Sequence, residues 1–419
     1  MLNMRHKKEI TAEVQTRYKK AKKKQKKIIL DEFTALTGYN RNYASRVLRL
    51  YYGKRIGSIG RGKAKIHYVV GKDKKKKERK RFYTDDVTNV LKKIWTVLDM
   101  PCGKRLAPFM PEIILKLEAF SEIEMDSSAK QKLLKISAST IDRLLKPVRD
   151  SLRIGRGRSF TKPGTLLKHQ IPIKTFSDWD DAIPGYLEAD LVGHDGGNGS
   201  GEFCFSINFT DVATCWDEAI AIRNKAQKWV TKATDTIRGR LPFAMLGIDS
   251  DNGSEFINSN FLRYCADHKI TFTRSRSYKK NDSCYVEQKN YCVVRRAVGY
   301  LRYDTDEELG ILNELYSYLR LHINFFIPVR KCISKTRQGS KTKKIYDVAK
   351  TPYRRVLECK LIDDKIKTKL RRQYDGLNPA ELKRKITGLQ NKLLKLNALK
   401  HQVLRDSAGE IKPSIDYTY

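Results

Sequence analysis

Two aspartates that end a short apolar stretch, and a glutamate at a set distance beyond them, constrain this chain more than any other feature. The stretch reads LGIDSDNGSEF from Leu246 and continues through SYKKNDSCYVEQKN to Asn290. Its start reads as a strand with Asp249 and Asp251 at the acidic tip, and Asn252-Gly253 supplies a tight turn. Glu287 falls on a predicted helix, with 35 residues between it and Asp251. Upstream, GYLEADLVGH reads as a second strand and carries Asp190. Carboxylates converging from two strands and a helix make a site for a hard divalent cation, which takes oxygen ligands.

The elements around these acids follow a recognisable order. Tyr186–Val192, Phe203–Phe209 and Cys215–Ile222 have strand character, the first two joined by the Gly-rich HDGGNGSGE. A helix is predicted over Lys225–Arg238 with Trp229, Val230, Ala233 and Ile237 inward. Then come a strand at Phe243–Ile248, a helix at Asn258–His268, a short strand at Ile270–Thr273 and a long helix at Ser283–Tyr300 that carries Glu287. The apolar, helical Leu309–Phe326 closes the unit. Three antiparallel strands followed by alternating helix and strand is the order of an α/β, ribonuclease-H-like fold.

Charge then narrows the partner. Lys+Arg 85 against Asp+Glu 47 gives a net charge of +38 spread along 419 residues. Such a field draws in polyanions, and cations on phosphates gain by counterion release, so double-stranded DNA is the expected partner. Two segments ahead of the acids have helix–turn–helix grammar. In LDEFTALTGYNRNYASRVLRL, Leu30, Phe33 and Leu36 line one helix, Gly38 breaks it, and Tyr43, Ala44, Val47 and Leu48 face inward on the next. Asn40, Arg41, Asn42, Ser45 and Arg46 are left outside, with side chains suited to base edges and phosphates. In SSAKQKLLKISASTIDRLLKPVR, Leu133 and Leu134 close a helix and Ser137 or Ser139 caps the next. Ile141, Leu144 and Leu145 turn inward there, while Ser139, Thr140, Asp142 and Arg143 turn outward.

The domain scheme is therefore multidomain. An all-α tandem pair of DNA-binding helix–turn–helix domains spans 1–60 and 81–152, with basic linkers at 61–80 and 153–174. The catalytic core spans 175–330, and a basic C-terminal region with a helix occupies 331–419. Within the last region, SKTRQGSKTKKIYDVAKTPYRRVL reads as irregular. Leu382, Ile386, Leu389, Leu393 and Leu396 then form a stripe a little over two heptads long, which is expected to dock on a neighbouring domain rather than dimerise.

The core resembles the integrase-type catalytic domain of DDE transposases, found in bacterial insertion-sequence transposases and retroviral integrases. The resemblance is carried by LEADLV around Asp190, DNGSEF from Asp251 and YKKNDSCYVEQKN around Glu287. It implies that Asp190, Asp251 and Glu287 are catalytic and hold two Mg²⁺ or Mn²⁺ ions. It also implies phosphodiester hydrolysis at the terminal inverted repeats of an element, then 3′-hydroxyl strand transfer into target DNA by a homodimer or higher oligomer. Two departures stand out: there is no His/Cys zinc module near the N-terminus, and Tyr291 and Val294 occupy positions where retroviral enzymes place lysines. DNA contacts near the acids are then expected from Lys279, Lys280, Lys289, Asn290 and Arg295.

Several alternatives stay open. Asp249 rivals Asp251 and would give 37 intervening residues. Glu188 shares a face with Asp190 and reads as a supporting or surface group; Asp211 and Asp195 read as turn residues, and His194 as a loop histidine. A DNA-binding regulator that keeps the fold without catalysis, or a ribonuclease-H-like nuclease, would share much of this pattern. A tyrosine recombinase is disfavoured because no histidine has Arg three residues later. MLNMRHKKEI lacks the apolar core of a signal peptide and no run suits a membrane span, so a cytoplasmic, nucleoid-associated bacterial protein is expected.

Overall fold

The computed structural model describes residues 3–49, 55–59, 66–69, 82–151, 183–250, 255–274, 289–338 and 341–410. The chain divides into two compact units, Met1–Arg81 and Phe82–Tyr419.

The first unit holds helices α1 (Met4–Lys20), α2 (Lys23–Thr37) and α3 (Arg41–Arg49) and a hairpin of β1 (Arg55–Ile59) and β2 (Ile66–Val69). Gly38 ends α2 at φ 67°, a left-handed position that suits glycine. Phe33, Leu30, Ala44 and Leu48 form the small core with Tyr18 and Ile29. Leu36 and Tyr43, expected inside, are 57% and 49% exposed. Helix α1 covers that core instead, and Tyr39 packs edge-on to Tyr43 from outside. The hairpin also replaces part of the basic linker that composition suggests.

In the second unit the sheet comes from β3 (Tyr186–Gly193), β4 (Phe205–Asp211), β5 (Asp217–Ile222), β6 (Gly247–Ser250) and β7 (Thr271–Arg274). Their order is β5-β4-β3-β6-β7, with β3, β4 and β5 antiparallel and β6 and β7 parallel to β3. This mixed sheet agrees with the ribonuclease-H-like order expected from the sequence, although β5 and β6 begin later than the apolar runs do. On one face lie α9 (Gln227–Arg240) and α10 (Ser259–Asp267), which bury Val230, Ile237, Phe261 and Cys265 against Leu187, Ile207 and Ile248. The other face carries α11 (Asp306–Phe326), whose Leu312, Leu315 and Leu319 pack with Val192 and Ala219. Thr305 and Glu308 cap α11 reciprocally.

An edge strand leaves backbone groups unpaired, and β5 is an edge. Two asparagines on α11 meet that need. Asn313 accepts from Ala221 N at 2.9 Å and donates to Ala221 O at 3.0 Å. Asn324 does the same for Asp217, at 2.9 and 2.7 Å.

The helices α4 (Asp85–Val97), α5 (Gly103–Leu106), α6 (Met110–Ala119), α7 (Ser127–Leu134) and α8 (Ala138–Ser151) do not form the separate domain expected over 81–152. Their apolar stripe (Val87, Leu91, Ile94, Trp95) shares a core with Trp216, Phe325 and Phe326 and with Tyr353, Val356 and Leu370 further on. Those last residues lie on α12 (Pro352–Glu358) and α13 (Asp364–Gly376). His322 on α11 also bonds Val97 O through Nε2 at 2.8 Å. A sequence displays such a stripe but not its distant partner. Leu134 is 40% exposed, and Asp142, expected outward, accepts from Gly103 N at 2.9 Å and from Arg149 at 3.0 Å.

The segment expected to be irregular contains an antiparallel hairpin of β8 (Cys332–Gln338) and β9 (Lys341–Tyr346). Beyond α13, α14 (Pro379–Glu410) buries Ile386 and Leu393 against α11, so its stripe docks within the chain. Lys400 secures that docking with Glu308 and Asp304, each at 2.8 Å. No helix among the described residues is long and apolar enough to cross a membrane.

Candidate active site

The centre of the sheet positions the first acid. Strand β3 lies between β4 and β6, and Asp190 stands on it opposite Asn208 of β4. Glu188, two residues earlier and on the same face, pairs in register with Asp249 of β6. Glu188 is buried, 4% exposed, so it is no surface group, whereas Asp190 is half-buried.

The Asp190 carboxylate is held by amides. Oδ1 accepts from Leu191 N at 2.7 Å, and Oδ2 accepts from the side-chain amide of Asn290 at 2.5 Å. Asn290, expected to contact DNA, gives its amide to Asp190 instead. It opens a π-helical segment, Asn290–Arg295, whose wider turns are a frequent feature of functional sites. Asn290 Oδ1 in turn accepts from Asn208 at 3.3 Å. The reverse orientation of the Asn208 amide would donate to Asp217 at 3.1 Å but set its oxygen against that of Asn290. The first orientation keeps the Asn290 N–H on Asp190 but sets the Asn208 oxygen against Glu218 O and Asp217 Oδ1.

Behind the two asparagines lies a buried ion pair. Asp217 accepts from Thr210 at 2.8 Å and meets Lys289 at 3.5 Å, and Lys289 also reaches Cys215 O at 3.3 Å. Lys289 is thus 8% exposed and is not a DNA-facing cation. Arg295 is likewise turned inward: it donates to Gly193 O at 2.9 Å and lies over the Tyr300 ring. A sequence shows a lysine or arginine but not the buried acceptor that claims it.

Asp249 is 3% exposed and accepts from Thr273 Oγ1 at 2.7 Å, which ties β6 to β7. Asp251, next but one in the chain, lies outside the described residues, as do Glu287, Lys279 and Lys280. Among the described residues no group of three His, Cys, Asp or Glu side chains is gathered to hold a metal. Asp190 itself fits a hard cation: it offers oxygens at a half-buried position.

Two neighbours have structural roles. Asp211 organises the turn after β4, accepting from Gly185 N at 2.8 Å and from Thr214 N at 2.7 Å, and burial lifts its carboxyl to about 6. His194 lies just past the end of β3, outside the strand as expected, but is fully buried there, and its Nε2 meets Ser206 Oγ at 2.7 Å. Burial lowers its pKa to about 3. The unfolded chain then binds a proton that the folded one refuses, so the stability His194 confers is complete above about pH 6.5 and drains away as pH falls toward 3. Melting temperatures should decline over that window, and less steeply in His194→Phe; parallel curves for the two proteins would contradict this.

In the first unit, α3 presents Asn42, Ser45 and Arg46 around one shallow depression, joined by Arg49, which the helix–turn–helix pattern does not single out. Arg41 is instead paired with Asp31. On α8, Arg143 is exposed, and Thr140 sits half-buried beside Ser137, whose Oγ accepts the Thr140 N–H at 3.3 Å.

No protein-family model matches the chain. A protein of Sinorhizobium fredii, described as uncharacterized protein y4rM, is 36% identical over 345 residues, 82% of this chain and 93% of that one. Among solved structures, the BIV integrase catalytic core is 17% identical over 41% of this chain and 91% of its own, with a TM-score of 0.28. The HTLV-2 integrase catalytic core in complex with magnesium is 13% identical over 35% and 91%, with a TM-score of 0.27. These structural likenesses are slight, and it is the strand order and the residues around Asp190 that bear on function.

Proposed function

We propose that this chain, which belongs to the same family as the Sinorhizobium fredii protein y4rM, is a DNA transposase of the integrase type. The observation that carries the reading is the bond from Asn290 to Asp190. Asn290 follows Glu287 by three residues, so the residue bonded to the first acid is a near neighbour of the third acid in sequence. Strand β6 lies beside β3 and ends at Ser250, one residue before Asp251.

In this reading Asp190, Asp251 and Glu287 would hold two Mg²⁺ or Mn²⁺ ions. The metal supplies an activated oxygen nucleophile and charge neutralisation at phosphorus. The chain's own part is to fix the carboxylates. Asn290 restrains the Asp190 carboxylate by one oxygen, and Asn208 restrains Asn290. Residues 1–60, with Asn42, Ser45, Arg46 and Arg49 on α3, recognise the element's inverted ends, and Thr140 and Arg143 on α8 add contacts. Joining two ends requires at least two copies on DNA.

The deciding experiment incubates the protein with a labelled duplex carrying an end of its element, with Mg²⁺ or with chelator, beside Asp251→Asn. Cleavage should need Mg²⁺ and be lost in the variant. Equal cutting by both proteins would remove Asp251 from the site. Tight binding without any cutting by the wild type would favour a regulator that keeps the fold.

A further inference from the structure

We infer that the β8–β9 ribbon is a second DNA-binding element, separate from α3 and from the acids, that lies on the phosphates of duplex DNA. Basic residues stand at Lys331, Lys335, Arg337, Lys341, Lys343 and Lys344, and no Asp or Glu occurs from 330 to 346. Lys343 and Lys344 are exposed and have no carboxylate partner among the described residues. As neighbours on a strand they serve opposite faces of the ribbon. The backbone register sets position 344 across from position 335 on the facing strand. Exposed apolar groups accompany the charge: Ile333 is 64% and Ile345 44% exposed. Large apolar side chains left open beside lysines suit a surface that a partner covers.

The ribbon is fixed at its base. Lys331 N donates to Asp347 Oδ1 at 2.7 Å, Arg355 pairs with Asp347 at 2.7 Å, and the Arg330 guanidinium lies over the Tyr346 ring at 4.8 Å. At about 3.4 Å per residue, strands of 7 and 6 residues make an arm roughly 20 Å long. A two-stranded ribbon of this kind fits the major groove, which is about 12 Å wide. The choice of duplex DNA over another polyanion rests on the transposase reading.

The test measures binding of the full chain to a random-sequence duplex of about 30 base pairs, without metal, across a salt series. Lys343→Ala/Lys344→Ala should lower the magnitude of the log K against log salt slope by about 2 and weaken binding roughly tenfold near physiological salt. Lys343→Arg/Lys344→Arg should bind as the wild type does, and unchanged melting of the alanine variant excludes misfolding. A wild-type slope in the alanine variant overturns the proposal, and so does a lysine dependence seen only with vesicles of phosphatidylserine. Asp190→Asn, assayed alongside, separates the two readings: cleavage that survives it refutes the active site and leaves the ribbon result intact.

Discussion

Asp190→Asn is expected to abolish Mg²⁺-dependent cleavage, by about three orders of magnitude or more, while the protein still folds and binds DNA. Metal stabilisation of a transition state is worth several kcal/mol, and each 1.36 kcal/mol is tenfold in rate. The substitution keeps shape but replaces an anionic oxygen with an amide, and it sets a donor against the Asn290 amide that now serves Asp190. Asp249→Asn supplies the contrast. That side chain is buried and bonded to Thr273, so its loss weakens the β6–β7 contact by about 1–2 kcal/mol and leaves cleavage measurable. Single-turnover cleavage of a labelled end, with melting curves for each variant, reads both effects. Equal activity in Asp190→Asn and wild type would end the proposal, and loss of activity in a well-folded Asp249→Asn would transfer the second acidic role from Asp251 to Asp249.

Periodicity decides how much of the fold is legible in the sequence. Strands β3 and β4 alternate or run apolar in a buried sheet, and α9, α10 and α11 carry apolar stripes, so their existence and order can be read. Asp190 and Glu188 stand out because acids interrupt an otherwise apolar strand. The ribbon β8–β9 stays hidden because lysine and arginine alternate there with threonine and serine, a pattern with no apolar face to betray a strand. Lys289 and Arg295 mislead for a different reason. Their acceptors, Asp217 and Gly193 O, lie on strands far away in sequence, and only folding brings them together. The boundary expected near 152 fails similarly, since the core that buries α4 also takes in Phe325, Phe326, Tyr353, Val356 and Leu370, all beyond 320.

That long-range core predicts the largest stability effect. Arg320 on α11 donates through Nε and Nη2 to Glu218 at 2.6 and 2.7 Å, and Glu218 is fully buried with a further bond from Trp216 Nε1 at 3.0 Å. Arg320→Met should cost about 3–5 kcal/mol, because it strands a buried carboxylate without its cation. Glu218→Gln/Arg320→Met removes both charges and should recover part of that loss, which distinguishes an uncompensated charge from simple lost packing. Urea unfolding followed by tryptophan fluorescence measures the change. A loss below about 1 kcal/mol in the single variant would mean that water reaches Glu218 and that the pair matters little. The effect should also reach the site, since Glu218 and Asp217 are neighbours on β5 and Asp217 anchors Lys289, the residue before Asn290. A slackened β5 would loosen the amide that restrains Asp190, so the single variant should lose cleavage activity under conditions where it remains folded.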